Sequence, residues 1–153
     1  MRYRNLILLL VISFICCVHS MAQTVISYGD WDYTVSTSNL EAGKDITGTH
    51  TSSTSQVYLS VAYDDDWVIS VKKSDVNWDD TLILQIIRTG DGYTYGSISD
   101  GESWKRIKDN DRDFFEGDDY VYFVPLQYRI RKASVIIPAD TYETSVIFTV
   151  TDD

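Results

Sequence analysis

Apolar residues recur at every second position along most of this chain, and no stretch sustains the spacing of an amphipathic helix. In Gln56–Tyr63, Val57, Leu59 and Val61 share one face. In Trp67–Lys72, Trp67, Ile69 and Val71 fall together, with Ser70 and Lys72 opposite. Leu126, Tyr128 and Ile130 alternate with Gln127, Arg129 and Arg131. This is the pattern of strands with one buried face. Leu82–Arg88, Tyr120–Val124, Ser134–Pro138 and Thr144–Thr151 extend it, and Trp31–Ser36, Ile46–His50, Tyr93–Ile98 and Trp104–Ile107 are shorter runs of the same kind. Clusters of Asp, Gly, Ser and Thr separate the runs, so the expected fold is an all-β sandwich or barrel.

Three details refine that expectation. Asp64-Asp65-Asp66 joins two of the strongest runs and predicts a hairpin with an acidic tip. Pro125 cannot donate a ladder hydrogen bond and predicts a bulge or a switch between sheets. In the last run Val146, Phe148 and Val150 face one way and Ile147 the other, the pattern of a strand covered on both sides.

The beginning of the chain has a different character. Arg2 and Arg4 precede an apolar run of thirteen residues, Leu6–Val18, and Ser20-Met21-Ala22 then places small residues before Gln23. These are the three parts of a secretory signal peptide, expected over residues 1–22, with a domain at 23–153. The run is shorter than the roughly 20 residues of a membrane span, so no transmembrane span is expected after cleavage. Lipid attachment at Cys16 or Cys17 fits poorly, because Ile15 stands where a small residue belongs before Cys16 and the bulky Phe14 lies at −3 from Cys17. The expected location is periplasmic, extracellular or on the cell surface. Cleavage leaves 131 residues with 23 acidic and 11 basic side chains, a formal charge of −12. That balance argues against nucleic acid, whose phosphates need clustered Lys and Arg.

Catalytic chemistry has little to stand on. Both cysteines leave with the signal, there is no Gly-x-Ser-x-Gly, and His50 is the single remaining imidazole, in the polar setting of a surface residue. A hydrolase triad or a His-based zinc site is thereby excluded, and the chain is expected not to be an enzyme. Two carboxylates suffice for glycoside hydrolysis, but 23 acids single out no pair. The densest acidic stretch, Lys108–Asp119, offers Asp109, Asp111, Asp113, Glu116 and Asp118 as oxygen ligands for calcium, the first three at the i, i+2, i+4 spacing of calcium loops. Phe114 and Tyr120 stand where such a loop would need glycine and glutamate. A solvated acidic loop between strands is the alternative reading.

Aromatic residues supply the other candidates. Trp67 belongs with the core by its alternation, whereas Trp78 and Trp104 sit among polar residues, and Tyr93 and Tyr95 follow Gly90-Asp91-Gly92. Exposed rings flanked by Asp and Asn can stack on a sugar or anchor a protein. Equally, each can cap a core. Trp78, Trp104, Tyr93 and Tyr95 are therefore the ligand-binding candidates.

The ending Val135-Ile-Ile-Pro-Ala-Asp-Thr-Tyr142, followed by an alternating Val/Thr strand, resembles the close of spore-coat-U-type and related pilin-like secreted bacterial domains. Those domains carry a Pro-x-Gly-Thr-Tyr turn before the final strand; here Asp140 stands in the place of the glycine. The resemblance implies a single antiparallel immunoglobulin-like β-sandwich used in surface fibres or coats, often assembled by strand exchange. Tyr142 is expected either to fold back onto backbone, as in a tyrosine corner, or to be an ordinary core residue. The function expected is a non-enzymatic structural or adhesion subunit of the cell surface or periplasm that pairs with itself or another surface protein. The alternative is a carbohydrate-binding module, calcium-stabilised if the acidic loop closes on a cation.

Overall fold

A computed structural model describes residues 23–34, 45 and 48–153. The expected signal peptide, residues 1–22, lies outside the described residues, as do residues 35–44 and 46–47, which hold parts of two expected short strands. Among the described residues there are eleven strands and no helix. They are β1 (Thr24–Tyr28), β2 (Thr49–Thr51), β3 (Val57–Ala62), β4 (Trp67–Asn77), β5 (Ile83–Arg88), β6 (Tyr93–Thr94), β7 (Ile98–Asp100), β8 (Lys105–Arg106), β9 (Arg112–Gly117), β10 (Val121–Arg131) and β11 (Glu143–Asp152). The first sheet runs β1-β3-β10-β5-β8, with β2 and β6 also paired to β10. The second runs β11-β4-β9-β7, and every pairing is antiparallel.

The alternating residues meet between the sheets. Val57, Leu59 and Val61 of β3, Leu84 and Ile86 of β5, and Val121, Val124, Leu126 and Tyr128 of β10 form one wall. Trp67, Ile69 and Val71 of β4, with Phe114 and Phe115 of β9, form the other. Burial of the Tyr128 ring pushes its phenol well above the ordinary range.

The linkage of β3 and β4 corrects the sequence expectation. They are not a hairpin, because β3 lies in the first sheet and β4 in the second, and Asp64-Asp65-Asp66 spans the gap between sheets. A hairpin would set two apolar rows side by side on one sheet. Crossing to the other sheet sets them face to face, where each row buries the other.

Trp67 shows how tightly the halves are fitted. Its ring is fully buried, edge-on to Phe115 at 5.8 Å between centroids. Its Nε1–H donates to the Asp119 carbonyl at 2.8 Å, which satisfies the indole inside the core. Asp119 presents that carbonyl with φ +57°. Gly117 lies beneath the ring, and a Cβ there would come within 2.6 Å of the indole and 2.7 Å of the Ser97 carbonyl.

Other differences from the sequence reading have local causes. The acidic stretch is not one loop, because β9 runs through it. A bulge opposite Ile69 and Ser70 turns both Phe114 and Phe115 inward and breaks the two-residue period. Tyr93–Ile98 is divided between the sheets, with β6 on β10 and Ile98 on β9. Ser134–Pro138 is a turn closed by Ile137 N–H donating to the Ser134 carbonyl at 3.1 Å, and it leaves Ile136 87% exposed. The Asp45 carboxylate fixes that turn, accepting from Ser134 Oγ and the Val135 N–H. Tyr142 folds back as one of the two readings expects, its hydroxyl donating to the Pro138 carbonyl at 2.7 Å. Burial first, then the charges of Asp79 and Asp140, raise its phenol above the ordinary value.

Gly117→Ala is expected to cost about 1–3 kcal/mol, since neither ring nor backbone can move aside without unpacking the core. Urea denaturation measures this, and a midpoint equal to wild type would mean that the space under Trp67 yields freely.

Candidate functional site

The four aromatic candidates fall in three places. Trp78 is half-buried against the core, its Nε1–H donating to the Leu82 carbonyl at 3.3 Å. It lines a cleft of about 170 Å³ with Lys73, Asp75, Asp80, Arg106 and Asp109. Trp104 is half-buried and covered by the Arg129 guanidinium, 4.0 Å from the ring centre. Both rings therefore have partners within the fold, and neither stands free as a stacking platform. Tyr93 and Tyr95 differ, at 75% and 79% exposed. Tyr93 pairs with Tyr122 on β10, seven residues from Arg129, or about 23 Å along the strand, so these tyrosines and Trp104 do not form one site.

The five acidic candidates do not converge either, although the sequence offers them together as calcium ligands. β9 separates Asp109 and Asp111 at one end from Asp118 at the other, by roughly 20 Å of strand. Asp111 pairs with Lys72 at 2.9 Å. Glu116 accepts from Ser99 Oγ at 3.1 Å. The Asp118 carboxylate accepts the Ser97 N–H, and that bond holds its pKa below the usual carboxylate range. Among the described residues no group of three or more His, Cys, Asp or Glu side chains is placed to hold a metal ion. His50 is half-buried rather than a plain surface residue, stacked on Tyr33 and sharing a 2.6 Å hydrogen bond with its hydroxyl.

Two surfaces of a different kind stand out. The first is the edge formed by β11, which pairs with β4 from Glu143 to Asp152 and has no strand partner on its other side among the described residues. The sequence reading has this strand covered on both faces. Instead Val146, Phe148 and Val150 pack half-buried on the core, while Ile147 on the outer row is 38% exposed. The rest of the outer row is Glu143, Ser145, Thr149 and Thr151, polar enough to face water. The strand contains no Lys, Arg or Pro, and its only register shift is at Glu143. β1, the edge of the first sheet, touches β11 on the same side of the sandwich.

The second surface is aromatic. Between Val121 and Val124, β10 carries one residue more than β3, in a bulge just ahead of Pro125. Val121 and Val124 stay buried, and the two residues between them are turned outward. Phe123 sits at φ +57°, 49% exposed, with its N–H donating to Ser60 Oγ at 3.1 Å. Its ring leans on Tyr28 at 6.1 Å and meets Tyr58 edge-on at 6.4 Å. Tyr122 meets Tyr95 at 6.3 Å. Gly92 allows β6 to pass the bulge, since a Cβ there would strike the backbone of Tyr122 and Phe123. Sequence reasoning finds Tyr93 and Tyr95 but not Tyr28, Tyr58, Tyr122 and Phe123. The Tyr-Val-Tyr-Phe-Val run reads as plain alternation unless a bulge is inserted.

Because the five acidic candidates are dispersed or already partnered, and no group of three or more is placed to hold a metal ion among the described residues, calcium and chelator are expected to leave the melting temperature unchanged. A rise with calcium would reveal a cation site, since a ligand bound only by the folded state must stabilise it.

No family model, no curated protein and no solved structure matches the chain.

Proposed function

We propose that this chain is an exported, non-enzymatic structural or adhesion subunit of the cell surface or periplasm. In this reading it is an immunoglobulin-like sandwich of pilin type that associates through its β11 edge. The observation that carries the proposal is the unpaired length of that edge among the described residues. Ten residues of β-strand present backbone N–H and C=O groups along one side, with no strand paired to them among the described residues. Proteins that stay apart blunt such an edge with Lys, Pro, bulges or short strands. β11 has a bulge at its first residue and a carboxylate at each end, Glu143 and Asp152, but no Lys or Pro and no break between them. Alternating Thr and Val favour an extended partner, and strand addition supplies main-chain hydrogen bonds together with half-open apolar positions for alternate side chains.

Ile147→Lys with Thr149→Lys places charges on the outer row beside the edge and leaves the core row intact. Native mass measurement across concentration, with electron microscopy of cells, is expected to show association in the wild type and its loss in the double variant. The melting temperature is expected to change little. A wild type that stays monomeric at every concentration and forms no fibres on cells would overturn the proposal.

A second reading, glycan binding, is favoured by the bulge-built aromatic surface. Tyr28, Tyr58, Phe123, Tyr122, Tyr93 and Tyr95 present ring faces beside polar backbone, which suits the apolar faces of sugars. Tyr93→Ala with Tyr95→Ala is expected to weaken glycan-array binding about tenfold or more, whereas Trp104→Ala, on a separate part of the sheet, leaves it intact. Binding lost only in Trp104→Ala would move the site away from the bulge.

A further inference from the structure

We propose that the arginine-bearing outer face of the first sheet docks the acidic end of a second copy of this chain. The proposal rests on the self-associating reading above and adds a second contact to it.

The face is built by register. Arg129 on β10 pairs with Gln85 on β5, and Gln85 pairs with Arg106 on β8, so the three stand in one row across the sheet. Arg131 lies two residues along on the same side, and Thr51 and Thr49 of β2 oppose Arg129 and Arg131. The row is rigid at its centre, where Arg129 Nε–H donates to Gln85 Oε1 at 2.9 Å and the guanidinium lies over Trp104. Arg106 and Arg131 are exposed.

A chain with 23 acidic residues has carboxylates to spare. Yet none among the described residues pairs with Arg106, Arg129 or Arg131; the ion pairs go to Lys72, Lys73 and Arg88. Burial, then the like charge of Arg131, lowers the Arg129 pKa.

The complement lies at the other end of the same molecule. Asp64, Asp65 and Asp66 bridge the sheets there, and Asp152 pairs with Trp67 directly beside them. The Asp153 N–H donates to the Asp66 carbonyl at 3.4 Å, and Tyr63 Oη donates to Asp152 at 3.1 Å. All five carboxylates are exposed, and none forms an ion pair among the described residues. β10 separates the two regions: Val121 pairs with Val61 near the acidic end, and Arg129 lies eight residues on, about 26 Å away.

Opposite charges on opposite ends cannot neutralise each other within one molecule. They can do so between copies. Such a contact joins two different patches, so it repeats from copy to copy and builds a chain of subunits unless the rotation closes a ring. Electrostatic complementarity of this kind sets orientation and encounter rate, and salt weakens it.

The test compares the purified exported chain with two charge reversals by light scattering and sedimentation at low and high ionic strength. One carries Arg106→Glu with Arg131→Glu, leaving the stacked Arg129 in place; the other carries Asp64→Lys, Asp65→Lys and Asp66→Lys. Far-UV circular dichroism and thermal melts verify folding. The expected result is association that weakens at least tenfold with salt and is lost in either variant alone. It returns when the two variants are mixed, because the reversed patches then complement each other. Association untouched by Arg106→Glu with Arg131→Glu would overturn the proposal, and so would a mixture that fails to recover. Binding of polygalacturonate that depends on those arginines, with no change in mass, would assign the face to an acidic glycan instead. If Ile147→Lys with Thr149→Lys abolishes association while both charge variants keep it, the edge reading stands and this one falls. If the wild type never associates, both fall.

Discussion

The indole of Trp67 reaches from the second sheet to a single carbonyl, that of Asp119, and the placement of both sheets follows from that reach. The ring is a large apolar body with one polar atom, so it can be buried only where an acceptor waits at the right depth. Asp119 supplies the acceptor by adopting φ +57°, and Gly117 supplies the space by having no side chain. The strands on either side inherit their register from this fit. Trp67 pairs with Gly117 on one flank and Asp152 on the other, so β9 and β11 are both indexed to one residue.

Arg88 has a comparable role on the first sheet. It is almost wholly buried, yet its Nε–H donates to the Asp100 carbonyl at 2.8 Å, and it pairs with Asp91 and Glu102 from two loops. A buried guanidinium is tolerable only when its donors are occupied, so these loops are held to the sheet by the cost of leaving it unpaired. The loop that carries Asp91 leads directly into β6 and its exposed tyrosines. Rigidity at that surface therefore begins inside the fold.

Period-two alternation made the fold class legible, and it located the core rows of β3, of the first half of β4 and of the second half of β10 residue by residue. It could not say whether two successive strands share a sheet, because a row of Val57, Leu59 and Val61 looks the same in a hairpin and across a sandwich. It also failed wherever a bulge inserts a residue. Phe114-Phe115 hid β9 inside what reads as an acidic loop, and Tyr122-Phe123 hid the aromatic surface. The arginine row was half visible, since Arg129 and Arg131 share a face by simple alternation. The contribution of Arg106 needed the pairing of β8 with β5, which no local pattern encodes. Spacing along a chain implies convergence only when the chain curls, and between Asp109 and Asp118 it extends as β9.

Phe123 stands against the preference of its own backbone. Holding a bulky residue in the left-handed region costs about 1–2 kcal/mol, a cost glycine would avoid and asparagine would lessen. Stability alone would thus favour a smaller residue at this position, with a smoother and more polar surface as the by-product. The phenylalanine kept there packs its ring on Tyr28 of β1 and Tyr58 of β3, so the left-handed backbone of the bulge is what carries an aromatic contact across the outside of three strands.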